Sequence, residues 1–331
     1  MSMTGLPHTA IARGIDTVLD RTVVLGYSRI GLGWRRELPT WPADPEPHAL
    51  RGKDVLVTGA SSGLGTATAE GLARLGARVH LLVRDTDKGE KVRADLASMV
   101  PSAQLELWRC DVSDLDDVRR FATDLGGALA QRGSGLAGLV HNAGAMPPER
   151  TESAQGHEMS VAVHVLGPVL MTELLLDALS RGQGRVVMVT SGGMYAQSLP
   201  VDDPEYVEDD YKPATAYARS KRIQVSVLPH LVQRWRPRDV SVNAMHPGWT
   251  DTPGVVESLP GFHKLTKRIL RDSEGGADTS VWLVGAEPRP ADGLLWHDRR
   301  PRPEHTVPWT RESSADRAAA WAWVRDAAGL G

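Results

Sequence analysis

The chain has 331 residues, 41% hydrophobic and 24% charged, an ordinary globular composition with material for a sizeable core. A formal net charge of −3 gives no global pull toward nucleic acid. The single cysteine, Cys110, excludes an intramolecular disulfide and a thiolate cluster, and the eleven histidines show no ligand spacing, so no metal is expected.

The N-terminus carries no secretory signature, and one cysteine fits a reducing compartment, so a cytoplasmic location is expected. Residues 17–32 read as an amphipathic helix, which Asp20, Arg21 and Arg29 make too charged to span a bilayer. Such a helix packs on its own domain or, as the alternative, lies on a membrane surface. Four prolines in 36–51 mark a linker.

Beyond the linker, short apolar runs alternate with helical stretches. Strands are expected at 54–59, 78–84, 104–110, 136–142, 185–191 and 240–246, and the first helices at 63–75 and 88–99. This alternation implies right-handed βαβ units and a doubly wound, mostly parallel sheet between two helix layers. Ligands of such sheets bind at the carboxyl ends of the strands. Residues 288–309 are rich in proline and arginine, and 313–330 read as a helix with a serine cap. The expected divisions are 1–50, 51–300 for a catalytic domain, and 301–331 for an extension.

The segment TGASSGLG runs from Thr58 to Gly65, directly after a strand and opening a helix. Gly59, Gly63 and Gly65 let the backbone approach a pyrophosphate, with Ser61, Ser62 and Leu64 between them. The helix N-terminus adds unpaired N–H groups and the positive dipole end. Further on, Tyr217 and Lys221 stand four apart and share one helix face. A phenol of pKa about 10 is too weak an acid for exchange near neutrality, and an adjacent ammonium favours its phenolate.

With these motifs in this order, residues 50–300 resemble the short-chain dehydrogenase/reductase (SDR) family. The glycine spacing is that family's version, and Asp111-Val112, Asn142-Ala143-Gly144, and Pro247-Gly248 followed by Thr252 match its cofactor-contacting segments. Ser191 ends the fifth strand, where the family keeps a substrate-orienting serine. The segments SGGM (191–194), HPGW (246–249) and PGFH (260–263) are similar to the SDR family member 12-like and retinol-dehydrogenase-like groups.

The resemblance implies an alcohol–carbonyl oxidoreductase acting on an apolar small molecule. Tyr217 would be the acid/base, with Lys221 tuning it and holding the ribose, and Ser191 binding the carbonyl oxygen. The family's NAD-selecting acid is replaced by Val83, and Arg84 follows it, so NADP(H) is expected over NAD. Asp85 next in line complicates that expectation. Residues 255–270, with Leu259, Phe262, Leu265, Ile269 and Leu270, would form the substrate lid.

One departure stands out. His164 occupies the position of the family's relay asparagine, either as a proton-transfer group or as the mark of a weakened relay. The alternative function is a catalytically silent NADP-binding sensor or interaction protein. A homodimer and membrane contact through the N-terminal helix are the macromolecular partnerships left open.

Overall fold

The computed structural model describes residues 6–252 and 260–331. Residues 255–259 of the expected lid, Leu259 among them, and the Phe262 side chain lie outside the described residues. Eight strands form one sheet: β1 (Asp54–Thr58), β2 (Arg78–Val83), β3 (Gln104–Arg109), β4 (Leu136–His141), β5 (Arg185–Val189), β6 (Ser241–Met245), β7 (Leu295–His297) and β8 (Arg300–Arg302). Their order is β3-β2-β1-β4-β5-β6-β7-β8, and only β8 runs antiparallel to its neighbour. The order reverses between β1 and β4, which opens a crevice at their carboxyl ends.

The helices are α1 (Leu6–Arg21), α2 (Val23–Tyr27), α3 (Arg29–Arg36), α4 (Gly63–Arg74), α5 (Thr86–Met99) and α6 (Leu115–Gln131). They continue with α7 (Met159–Leu174), α8 (Leu176–Gly182), α9 (Pro213–Ser226), α10 (Leu228–Trp235), α11 (Pro260–Thr266), α12 (Ser273–Gly285) and α13 (Ser314–Ala327). Strand side chains alternate between two cores. Leu56, Val186 and Met188 face a core built with α6, α7, α9 and α13; Val55, Val57 and Val187 face one built with α4, α5 and α12. This is the three-layer α/β/α arrangement. Side-chain caps set several helix starts: Asp85 accepts from the Lys88 N–H at 3.1 Å, and Ser313 and Asp316 form a capping box.

Two regions depart from the sequence reading. Residues 17–32 form parts of three helices, because Thr22 and Ser28 are extended and turn their hydroxyls to the carbonyls of Leu19 and Leu25. In the tail, β7 and β8 form a hairpin whose turn holds Asp298 and Arg299 at φ 51° and 55°. The boundary expected at residue 300 therefore falls inside a paired hairpin.

Candidate active site

The glycine loop and the turn after β4 are fastened to each other. The Thr58 hydroxyl accepts from the N–H groups of Asn142 (3.0 Å) and Ala143 (2.9 Å), and Asn142 Nδ2 donates to the Thr58 carbonyl at 3.2 Å. Glycine is required here: a Cβ on Gly59 would stand 2.8 Å from Ala143 Cα, and one on Gly65 would stand 2.1 Å from the Gly59 carbonyl oxygen. Gly59 and Gly63 also sit at φ 65° and 52°. Ser62 stands extended at the N-cap position of α4 without a side-chain capping bond, so its hydroxyl leaves the first N–H groups of α4, beginning at Gly63 and Leu64, without a cap. This backbone cradle fits a dinucleotide pyrophosphate.

At the β2 end, Val83 is buried in the core and Arg84 is exposed, forming no ion pair among the described residues. Asp85 caps α5, so its carboxylate already has a task. Asp111 accepts from the Ser113 N–H (3.0 Å) and hydroxyl (2.6 Å), which shapes the turn that buries Val112. At the β6 end, Gly248 takes φ 75°, Thr250 Oγ1 donates to the Pro247 carbonyl, and Thr252 closes the described part of the loop.

Tyr217 and Lys221 lie on α9 against the end of β5. Lys221 Nζ donates to the Val189 carbonyl at 2.8 Å and stands 5.5 Å from the Tyr217 ring centroid. The structure brings Ser191 to the same place, near enough to Tyr217 to favour its phenolate, and the Ser191 hydroxyl accepts from the Gly193 N–H at 3.2 Å. Burial pushes the Tyr217 phenol up from its ordinary value, and the nearby Ser191 hydroxyl opposes this. Burial also pushes the Lys221 ammonium down to about 7. The phenol therefore lies above its ordinary value, not below it as the sequence reading expected of a phenol beside an ammonium.

His164 is fully buried with both ring nitrogens engaged. Nε2 accepts from the Ala145 N–H at 3.0 Å, which leaves the proton on Nδ1. Ser220 spends its own proton on the Tyr217 carbonyl (2.7 Å), so its oxygen accepts from His164 Nδ1 at 2.8 Å. Burial first, then the Lys221 charge, holds the imidazole well below its ordinary pKa. The ring also meets the Tyr217 ring edge-on at 5.1 Å.

The backbone around His164 is a π turn, Ala162–Leu166. Pro168 stands four residues on and has no N–H for the His164 carbonyl, and Gln224 Nε2 supplies the donor at 2.6 Å. His141 is a core residue, bonded to Thr172 Oγ1 at 2.8 Å and held neutral by burial.

The sequence reading missed the N-terminal contribution. Asp298, 1% exposed, receives Arg35 Nη1 at 2.6 Å and Arg271 Nη1 at 2.5 Å. Both arginines also donate to the Gly26 carbonyl, which pins α2 beside the turn after β6. Tyr27 then reaches the loop that carries Ser191. No local motif signals these residues, because they come from three distant segments.

The family model described as short chain dehydrogenase matches residues 53–260. The chain is 35% identical over 269 residues to dehydrogenase/reductase SDR family member 12 of Bos taurus, covering 80% of this chain and 82% of the relative. It is 34% identical over 241 residues to retinol dehydrogenase 11 of Mus musculus, covering 72% and 75%. Among solved structures, an uncharacterized protein from Mycobacterium paratuberculosis superposes with TM-score 0.67 at 27% identity, covering 84% of this chain and 94% of the other. The RhlG/NADP complex of Pseudomonas aeruginosa shares the fold, with TM-score 0.61 at 23% identity and coverage of 76% and 96%. With the fold, the glycine loop and these matches together, the chain belongs to the short-chain dehydrogenase/reductase family of oxidoreductases.

Proposed function

We propose that the protein is an NADP(H)-dependent oxidoreductase that interconverts an alcohol and a carbonyl on an apolar small molecule. The observation that carries this reading is the meeting of Tyr217, Ser191 and Lys221 at the carboxyl end of β5. The cradle of Gly59, Ser61, Ser62, Gly63, Leu64 and Gly65 would hold the pyrophosphate, and Asn142-Ala143-Gly144 would back it. Asp111 and Val112 would border the adenine side, and Pro247, Gly248 and Thr252 the nicotinamide side. When bound, the nicotinamide supplies or accepts hydride.

The chain's own groups handle the proton. Ser191 orients the carbonyl oxygen by a hydrogen bond, and Tyr217 gives that oxygen a proton in reduction or removes it in oxidation. Lys221, with a pKa near 7, is poised to hold or release the next proton at its Nζ. His164 is a positioning residue in this reading. Its two bonds tie the turn at Ala145 to the helix that carries Tyr217, and no ring lone pair is left for a relay.

The test is a panel of carbonyl and alcohol compounds followed by NADPH absorbance. Tyr217→Phe should lower turnover by about 10²–10⁴-fold, as loss of a positioned acid/base does, with NADPH binding retained. Near wild-type turnover in that variant would remove Tyr217 from the chemistry.

The N-terminal helices also support a peripheral membrane contact. Ile11, Val18, Val24, Leu25, Ile30 and Trp34 are all at least 44% exposed. Arg13, Arg21 and Arg29 are exposed, while Asp16 and Asp20 turn inward to Arg35 and Arg302. An apolar face rimmed by cations suits an anionic lipid surface. No single described helix is long and apolar enough to cross a membrane. Co-sedimentation with phosphatidylserine vesicles but not with phosphatidylcholine vesicles is expected, and equal recovery in the supernatant with both would sink this contact.

A further inference from the structure

Tyr27 belongs to the N-terminal helices, yet it sits where the two loops on the substrate side converge. Its ring, 5% exposed, lies so close to Gly192 that a Cβ there would stand 2.9 Å from Tyr27 Cε2. Gly192 directly follows Ser191. On its other side the ring meets His246 edge-on at 4.7 Å, Trp249 at 6.4 Å and His297 at 5.2 Å.

The backbone of Tyr27 is fixed just as firmly. Its carbonyl accepts from the Trp249 N–H at 2.8 Å and from Arg271 Nε at 2.9 Å. One ring therefore touches the loop after β5 and the turn after β6, while its carbonyl anchors it to the second. Trp249 and Tyr195 stand beside it, both half-buried, and Tyr195 meets His246 edge-on at 6.1 Å.

We propose that Tyr27 is a specificity-determining positioning residue, the spacer that sets the gap between the Ser191–Gly193 loop and the His246–Trp249 turn. Tyr27 itself fills that gap, and the rings at its edge that reach solvent are Trp249 and Tyr195, whose faces favour flat ring systems through offset and edge-on contacts. The chemical class selected is thus a ring-bearing carbonyl compound, or its alcohol, over a linear one of equal carbon number. This inference rests on the oxidoreductase reading for its substrate and on the Tyr27–Gly192 contact for its geometry.

Two consequences follow from the packing. Replacing the ring by a smaller side chain lets the two loops approach or shift, so shape discrimination is lost. Keeping the ring without the hydroxyl keeps the spacing. The N-terminal helices are then part of the substrate site, and Arg35, Arg271 and Asp298 hold them there.

The experiment compares wild type, Tyr27→Phe and Tyr27→Leu on an aryl ketone and a linear ketone of equal carbon number. In wild type the aryl ketone is favoured. In Tyr27→Leu that preference in kcat/KM falls about tenfold or more, the scale of one badly fitted apolar contact, through a rise in KM. NADPH affinity stays as in wild type, and Tyr27→Phe keeps the preference. An unchanged preference in a folded Tyr27→Leu variant overturns the proposal, as does an equal loss in Tyr27→Phe.

If wild type turns over no carbonyl compound, the oxidoreductase reading fails and the spacer is judged by thermal unfolding. Gly192→Ala should lower the melting temperature much more with Tyr27 present than in the Tyr27→Leu background. Equal losses in both backgrounds overturn the contact.

Discussion

On the cofactor side of the cleft, Thr58, Gly59, Asn142 and Ala143 meet through backbone groups, one hydroxyl and one amide. On the opposite side, Tyr27, Gly192, Trp249 and Arg271 meet through rings, a carbonyl and a guanidinium group, and the bond from Arg271 Nε to the Tyr27 carbonyl joins residues 244 apart in sequence. The first construction needs absent side chains, hence glycines at fixed spacing. The second needs particular large side chains from separate segments. The difference locates what is generic in the molecule and what is its own. In the proposed reading, any dinucleotide would present the same pyrophosphate to the first half, whereas the second half would recognise the substrate.

The largest effect that separates the halves is expected at Asp298. It is buried between Arg35 and Arg271, and removing its charge leaves the buried Arg271 without a carboxylate among the described residues, while Arg35 keeps Asp16. Asp298→Asn should cost about 3–5 kcal/mol of stability, the usual penalty for breaking one partner out of a buried pair. Chemical denaturation at pH 7 measures it. The damage should fall on the N-terminal helices first, so limited proteolysis should cut near residues 6–36 while the nucleotide half still binds NADPH.

The same carboxylate gives a pH signature. Burial alone would raise its pKa, but Arg271, His297 and Arg35 outweigh burial and hold it well below the ordinary carboxylate value. The folded protein therefore binds fewer protons there than the unfolded chain. The stability it contributes is present above the unfolded pKa and is lost as pH falls through the folded one. Wild type should lose stability in excess of Asp298→Asn as pH falls below about 4, the ordinary carboxylate value. Parallel acid limbs for the two proteins would show that the pair contributes nothing there.

These contrasts also explain what could be read in the sequence. Six of the seven parallel strands were legible, since runs such as Val55–Val57 and Val186–Val189 are buried on both faces and carry a continuous apolar signal. The glycine loop and the Tyr217–Lys221 pair were legible because each is local. The hairpin of β7 and β8 was not. Its strands have three residues each, one of them reading RPR, and they form because β6 offers an edge and Asp298 gathers arginines. The break of 17–32 into shorter helices was hidden for a similar reason, since the carbonyls of Gly26 and Tyr27 accept from Arg271 and Trp249, which lie far off in sequence. His164 was visible as a departure, but its tautomer depends on Ala145 and Ser220, which only the fold brings near.

The smallest expected effect lies at the rim of the cofactor half, where a side chain adds selectivity to a backbone site. Val83 is buried at the end of β2 and offers nothing to a ribose hydroxyl. Arg84 stands exposed beside it and forms no ion pair among the described residues, so its guanidinium is free for a 2′-phosphate. Asp85, the residue that complicated this reading, spends its carboxylate on the Lys88 N–H at 3.1 Å and is held below its ordinary pKa by that bond. An acid committed to a helix cap repels the phosphate less than one aimed at the ribose. NADPH should therefore bind more tightly than NADH, and Arg84→Ala should narrow the gap by about tenfold, as expected for one charge-assisted contact of 1.5–3 kcal/mol partly exposed to water. The substrate preference set by Tyr27 should not move in that variant, because the two residues act on opposite halves of the cleft. Titration of both nucleotides against wild type and Arg84→Ala measures the gap, and NADH binding as tightly as NADPH in wild type would refute the assignment.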